Sequence, residues 1–244
     1  MKVKDFIYRE TKKRALHFSL IDPDKNKING MEKKVKILDR LGTDAFMIGG
    51  STNIKTKTLD NVVKKIKKNT KKPVILFPGA LSGVSRYADA IFFLSLLNSK
   101  KARYTTWTQA FGAPIVKKSK IEPIGMGYII VEPGGVVGRV GKAKLVKHSK
   151  IHWAVNFSLA AQYFGMSLVY LEAGSGAEKP VPAKMIRAVK KAISIPLIVG
   201  GGIRSAAQAR AAVRAGADII VTGTAIENNF HAMEEIISAV RKAK

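Results

Sequence analysis

Eight short apolar, β-rich runs recur along this chain, each separated from the next by a longer stretch. They are HFSLID from His17, DAFMIGG from Asp44, VILFPG from Val74 and AIFFLSLL from Ala90. GMGYIIVEP from Gly125, SLVYLEAGSG from Ser167, PLIVGGG from Pro196 and DIIVTGT from Asp218 complete the set. Strands that are apolar almost throughout are buried on both faces, as in parallel sheets. Amphipathic patterns lie between them, such as AKMIRAVKKAI from Ala183 and SAAQARAAVRAGA from Ser205. Alternating strand and helix patterns read as βαβ units. Eight units in 244 residues favour a closed (β/α)8 TIM barrel over an open doubly wound sheet. No Pro/Ser-rich linker divides the chain, so residues 1–244 are expected to form a single domain.

Two places break the rhythm. ALSGVSRYA, after Gly79, is too short and Gly-interrupted for a regular barrel helix. Residues Glu132 to Ser149 read as a Gly-rich basic loop after the fifth strand. Long loops on the C-terminal face of a barrel commonly carry the site.

Composition removes several function classes. There is no cysteine, which excludes disulfides and thiolate metal sites. His148, His152 and His231 lack the spacing of a zinc site, and His17 is expected to point into the barrel or cap its strand. No apolar stretch reaches transmembrane length and the basic N-terminus has no apolar h-region, so a cytoplasmic protein is expected. The charge is unusual: 43 Lys and Arg against 17 Asp and Glu, a net +26. Such an excess suits anionic partners, whether nucleic acid, a membrane surface or phosphorylated substrates. Lys55 to Lys72, with eight lysines and one acid, reads as the solvated outer face of a helix. No nucleic-acid-binding motif accompanies the charge, so a dedicated module of that kind is not expected.

Three clusters carry candidate chemistry. VGGGIRS, from Val199, ends the seventh strand and opens a helix, and VTGTAIE, from Val221, ends the eighth. Glycine lets backbone N–H groups approach a phosphate, and barrels repeatedly bind phosphate after these two strands. YLEAGSGA, from Tyr170, puts a carboxylate, Glu172, at a strand end before a loop of small residues. The carboxylate and the Tyr170 phenol can hydrogen-bond a polyol, with Ser175 and the glycine amides reaching its phosphate; the alternative is a core Tyr170 and a surface Glu172, against which stands the absence of any other acid between Glu132 and Glu172. IDPDK follows the first strand, where Asp22 or Asp24 could hold Mg2+; an Asx-type turn is the alternative. GGST, from Gly49 to Thr52, offers a hydroxyl nearby. The aromatic and apolar residues from Ala80 to Ala110, including Tyr87, Phe92, Phe93, Tyr104 and Trp107, are expected mostly in the core, with some free to line a groove.

Together HFSLIDPDK, MIGGST, FPG, SRYADAIFFLSLLNS, GYIIVEPGG, YLEAGSGA, VGGGIR and VTGT resemble the geranylgeranylglyceryl phosphate synthase family, which includes bacterial heptaprenylglyceryl phosphate synthases. The resemblance spans nearly the whole chain and implies a barrel with a short or missing third helix. It implies Mg2+-dependent transfer of a polyprenyl group from its diphosphate to sn-glycerol 1-phosphate, the first ether bond of archaeal lipids. By motif, Asp22 and Ser51 would hold Mg2+. Tyr170, Leu171, Glu172, Ala173, Gly174, Ser175 and Gly176 would bind glycerol phosphate, with Gly201, Gly202, Gly223 and Thr224 completing the phosphate cradle. Glu172 would bind the glycerol hydroxyls and accept the attacking proton, and the prenyl chain would lie near Ala80 to Leu97. The family's habit implies dimers or higher assemblies. Departures from its pattern fall at Thr105–Thr108, Arg139 and Trp153–Ser158. Peripheral contact with an anionic membrane is a further expectation from the charge. A phosphosugar isomerase or synthase on the same barrel, or a catalytically silent polyanion-binding paralogue, are the rival readings.

Overall fold

The computed structural model describes residues 1–23, 30–49, 54–223 and 229–243. Strands β1 (Leu16–Ile21), β2 (Ala45–Gly49), β3 (Val74–Phe77), β4 (Ala90–Leu96), β5 (Glu122–Ile130), β6 (Leu168–Glu172), β7 (Leu197–Gly200) and β8 (Ile219–Thr222) pair in chain order. Every pairing is parallel and β8 returns to β1, closing the barrel. Each of the eight apolar runs overlaps one of these strands, although β1 begins one residue and β5 three residues before its run.

Alternation along the strands builds two cores. In β6, Leu168 and Tyr170 point into the barrel with Phe18, Phe92, Met126 and Ile198. Val169 and Leu171 point outward among the side chains of the surrounding helices. A period-2 pattern buried on both faces is therefore apolar at nearly every position.

The outer ring comprises α2 (Met31–Leu41), α3 (Thr56–Asn69), α4 (Thr108–Ser119), α6 (Ile151–Tyr163), α7 (Ala183–Ala192), α8 (Ala206–Arg214) and α9 (Phe230–Lys242). The Lys55–Lys72 run is indeed mostly α3, burying Leu59, Val62, Val63 and Ile66 and turning its lysines outward. No helix stands between β3 and β4; residues 78–89 run as turns. A π-helical turn, Arg103–Trp107, precedes α4. An additional helix, α1 (Val3–Thr11), closes the N-terminal end of the barrel with Val3 and Ile7. Its first amides are held by Glu122, which accepts from Val3 N at 2.6 Å and Lys4 N at 3.2 Å.

Several of the few acids are placed on this N-terminal rim. Asp89 accepts from Val74 N, and Asp218 from Leu197 N, each at 2.9 Å. Asp44 accepts from His17 N at 3.0 Å and pairs with Arg14. Carboxylates that pin strand starts belong to the stabilising end of a barrel.

Two expectations are corrected. The Glu132–Ser149 segment is not all loop: α5 (Gly135–Val140) forms within it. Gly134 turns with φ 76°, and Gly138 lets the helix settle on Leu145, which a Cβ there would approach to 3.0 Å. His17 neither points into the barrel nor caps its strand. It sits fully buried on the outward face of β1, where Nδ1 is 3.1 Å from Thr43 Oγ1 and Nε2 is 2.8 Å from Thr222 Oγ1. Thr43 and Thr222 give this imidazole polar partners that the apolar barrel interior lacks. Burial depresses its pKa to about 4, with only partial relief from the Asp44 charge.

Candidate active site

Glu172 is the last residue of β6 and points inward at the C-terminal mouth. It is 94% buried, so it is not a surface acid. Three groups surround its carboxylate. Gly174 N donates to Oε1 at 2.6 Å, and the phenols of Tyr170 and Tyr128 both interact with it. Burial raises the Glu172 pKa, and the Gly174 N–H and the two phenols draw it back down. The phenols are pushed well above their ordinary range, first by burial and then by the neighbouring carboxylate.

Local register explains the convergence. Tyr128 and Tyr170 are paired positions on β5 and β6, both inward-facing. Their rings meet at 5.1 Å, and Phe77, at the end of β3, closes an aromatic trio at 5.4 and 5.7 Å. Phe77–Tyr128 and Tyr128–Tyr170 meet edge-on, an arrangement that aromatic pairs favour, and both hydroxyls reach the Glu172 carboxylate.

The backbone beyond Glu172 is fixed by a second motif. Val131 N donates to Glu172 O at 2.8 Å, and Gly134 N to Ala173 O at 2.9 Å. Gly174, with φ 105°, lies flat on the Gly134–Gly135 peptide, which a Cβ would meet at 2.7 Å. VEPGG and YLEAGSG are thus one packed unit, backbone against backbone.

The phosphate candidates lie beside the carboxylate. Gly201, with φ 80°, passes so close to Glu172 Oε1 that a Cβ would collide with it. Gly202, with φ 72°, packs under the Lys179 carbonyl, and Ser205 then caps α8 by accepting from Gln208 N. Tyr170, Glu172, Ser175, Gly176, Gly201, Gly202 and Gly223 line one pocket with Leu20 and Arg204. The Tyr170–Gly176 run does not contribute uniformly: Leu171 and Ala173 direct their side chains into the strand–helix layer. Asp22 is buried at the C-terminal end of β1, on the same face of the barrel. Asp24, Thr224 and the Gly50–Thr52 part of GGST, with Ser51, lie outside the described residues.

Sequence reasoning missed three contributors. Tyr128 carries no signal in the sequence; only the register that pairs it with Tyr170 brings it to the carboxylate. Phe77, at the end of VILF, stands against both phenols. Arg204, in the GGGIR motif, places a guanidinium at the pocket and donates to Gly176 O at 2.6 Å, tying the two glycine loops together. Trp107 departs from the core expectation, being 59% exposed, whereas Phe92 is fully buried.

The open third connection leaves an apolar surface leading out of the mouth. Phe77, Leu94 and Tyr104 are partly buried and pack against the barrel interior. Leu81, in the same connection, is partly exposed.

Comparison with known proteins gives this geometry a family. A family model described as the PcrB family matches residues 8–244. Geranylgeranylglyceryl phosphate synthase of Pyrococcus horikoshii is 55% identical over 226 residues, covering 93% of this chain and 89% of the relative. The Methanothermobacter thermautotrophicus protein of that name is 47% identical over 236 residues, with 97% and 96% covered. The crystal structure of (S)-3-O-geranylgeranylglyceryl phosphate synthase from Thermoplasma acidophilum, in complex with sn-glycerol-1-phosphate, matches with a TM-score of 0.95 at 42% identity over 99% of each chain. The chain therefore belongs to the PcrB family, and within it to the prenyltransferases of the geranylgeranylglyceryl phosphate synthase type.

Proposed function

We propose that this chain joins a geranylgeranyl group to sn-glycerol 1-phosphate, forming the first ether bond of archaeal-type membrane lipids. The observation that carries the reading is the shared pocket. A buried carboxylate held by two phenols stands beside the Gly201–Gly202 turn, so one ligand can present a hydroxyl to the first and a phosphate to the second. The Thermoplasma acidophilum relative is described with sn-glycerol-1-phosphate bound.

In the proposed reaction, the glycerol hydroxyl oxygen attacks C1 of the prenyl diphosphate. The new C–O bond forms as the bond from C1 to the diphosphate oxygen breaks, and diphosphate leaves with the electron pair. Glu172 orients the hydroxyl and accepts its proton. A carboxylate with a raised pKa suits that task better than a fully solvated one. Gly174, Ser175, Gly176, Gly201, Gly202, Gly223, Thr224 and Arg204 serve the phosphate, and the apolar surface at Phe77, Leu94 and Tyr104 takes the prenyl chain.

Asp22 and Ser51 would hold Mg2+ in this reading. Asp22 offers a hard oxygen donor on the correct face, and no group of three or more His, Asp, Glu or Cys gathers there among the described residues. One carboxylate plus substrate oxygens is a donor set that Mg2+ accepts. When bound, the ion supplies neutralisation of the departing diphosphate.

Self-association is part of the proposal. Between Ile151 and Phe164 there is no Lys, Arg, Asp or Glu, and Trp153, Tyr163 and Phe164 are exposed. No helix among the described residues is long and apolar enough to cross a membrane. Association with an anionic lipid surface is proposed as peripheral contact.

The test is a product assay. Protein, sn-glycerol 1-phosphate, geranylgeranyl diphosphate and Mg2+ are combined and prenylglyceryl phosphate is sought by mass spectrometry, with EDTA and Glu172→Ala controls. Product that vanishes in both controls is expected. Absence of product from the folded protein at every prenyl length would overturn the reading in favour of a silent polyanion-binding paralogue.

A further inference from the structure

The π-helical turn and the α4 helix that continues it carry an apolar stripe with no partner among the described residues. Trp107, Phe111 and Ile115 recur at helical spacing and are 59%, 62% and 44% exposed. The Trp107 and Phe111 rings stack with centroids 6.1 Å apart, so the stripe is a preformed surface. Exposed apolar patches of this kind mark a contact surface.

Its charge surroundings identify the contact. Residues 90–121 contain no acid, and six bases flank the stripe in sequence: Lys100, Lys101, Arg103, Lys117, Lys118 and Lys120. An isologous contact between two copies of α4 would bring these bases together, and like charges across an interface disfavour association. An anionic bilayer has the opposite preference. Aromatic and aliphatic side chains enter the headgroup boundary while lysines at the edges meet lipid phosphates.

Position adds a reason. Gly112, on the inner side of α4, lies against Leu81 of the irregular β3–β4 connection; a Cβ there would come to 3.3 Å of Leu81 Cδ2. Gln109 Nε2 donates to Leu94 O at 2.6 Å and to Tyr104 O at 3.2 Å, anchoring α4 to the apolar exit. The stripe therefore flanks the side of the barrel where no helix covers the strands.

We propose that Trp107, at the end of the π-helical turn, and Phe111 and Ile115 of α4 are the membrane-contacting surface of this protein, seating the apolar exit on an anionic bilayer. The inference rests on the prenyltransferase reading for its purpose, but its readouts do not require turnover.

The experiment uses the full chain. Only two tryptophans are present, so Trp153→Phe leaves Trp107 as the sole reporter. Phosphatidylglycerol-containing vesicles, but not pure phosphatidylcholine vesicles, are expected to bind it. Trp107 emission should shift to the blue, be quenched by brominated lipid and recover at high salt. Phe111→Ser with Ile115→Ser should weaken vesicle binding by about tenfold or more, with circular dichroism, particle mass and turnover of a short, water-soluble prenyl diphosphate unchanged. Three results would each overturn the inference: no vesicle binding at low salt, binding without a Trp107 response, or a fall in particle mass in the serine variant, which would assign the stripe to a second copy. A wild type that binds vesicles as expected but turns over no substrate would instead overturn the functional reading alone.

Discussion

Gly201, the residue after β7, passes so close to the Glu172 carboxylate that a Cβ at 201 would collide with Oε1. The base candidate and the phosphate candidate are therefore mechanically linked. Gly201→Ala would strain a backbone at φ 80° and displace the carboxylate from the Gly174 amide. A misplacement of this kind costs roughly 100-fold in turnover. Steady-state kinetics should show that loss in kcat together with a raised KM for glycerol phosphate. A change in KM alone would mean the two sites are separable.

Tyr128 and Tyr170 both lower the pKa of Glu172 against the effect of burial. Removing either hydroxyl removes a stabilising partner of the ionised form, so the Glu172 pKa must rise further. If ionised Glu172 is the working form, Tyr128→Phe should move the acidic limb of the kcat/KM profile to higher pH and reduce activity at neutral pH by about tenfold, the value of one hydrogen bond to a charged group. A pH profile identical to wild type would show that Tyr128 does not act on Glu172.

The difference between what sequence and structure reveal is visible in these residues. The barrel was legible because strands buried on both faces leave long apolar runs, and the glycine clusters because tight turns at φ near 80° and 72° favour that residue. Tyr128 was not, because an inward tyrosine and a core tyrosine look alike until register pairs it with Tyr170. His17 was misread because a single histidine in an apolar run carries no sign of which strand face it occupies. Helix α5 was hidden by four glycines in GGVVGRVG, which make a poor local case for helix and owe their conformation to packing on Leu145, Ile130 and Gly174. The exposure of Trp107 depends on the helix direction after the π-helical turn, which no local spacing fixes.

The buried Glu172 has a cost in stability. Its native pKa lies above the ordinary carboxylate value, so the native state holds a proton that the unfolded chain has released. Stability from this group is therefore lost as pH rises from about 4.5 through the raised native value. Glu172→Gln removes the titration and keeps the shape. Denaturant unfolding should show the variant more stable than wild type at neutral pH, with the difference shrinking toward pH 4, while activity falls by roughly 100-fold or more. Equal stability at both pH values would mean that the carboxylate is not desolvated in solution.

His17 makes the opposite contribution. It is buried without charge, with its pKa depressed from 6.5 to about 4, while the unfolded chain takes up a proton near 6.5. The unfolded state binds more protons in this window, so stability is full above pH 6.5 and falls as pH drops toward 4. The loss is bounded at roughly 3 kcal/mol by the size of the shift. Thr43 and Thr222 each contact one ring nitrogen, and a protonated ring would have to donate to both while sitting among buried neighbours. Urea unfolding of the wild type between pH 7 and pH 4 should show this acid loss, and His17→Gln should flatten that part of the profile at the expense of stability at neutral pH. A wild-type profile level between pH 6.5 and pH 4.5, after subtraction of the carboxylate contribution measured in the Glu172→Gln variant, would mean that His17 titrates normally and is not sealed behind β1.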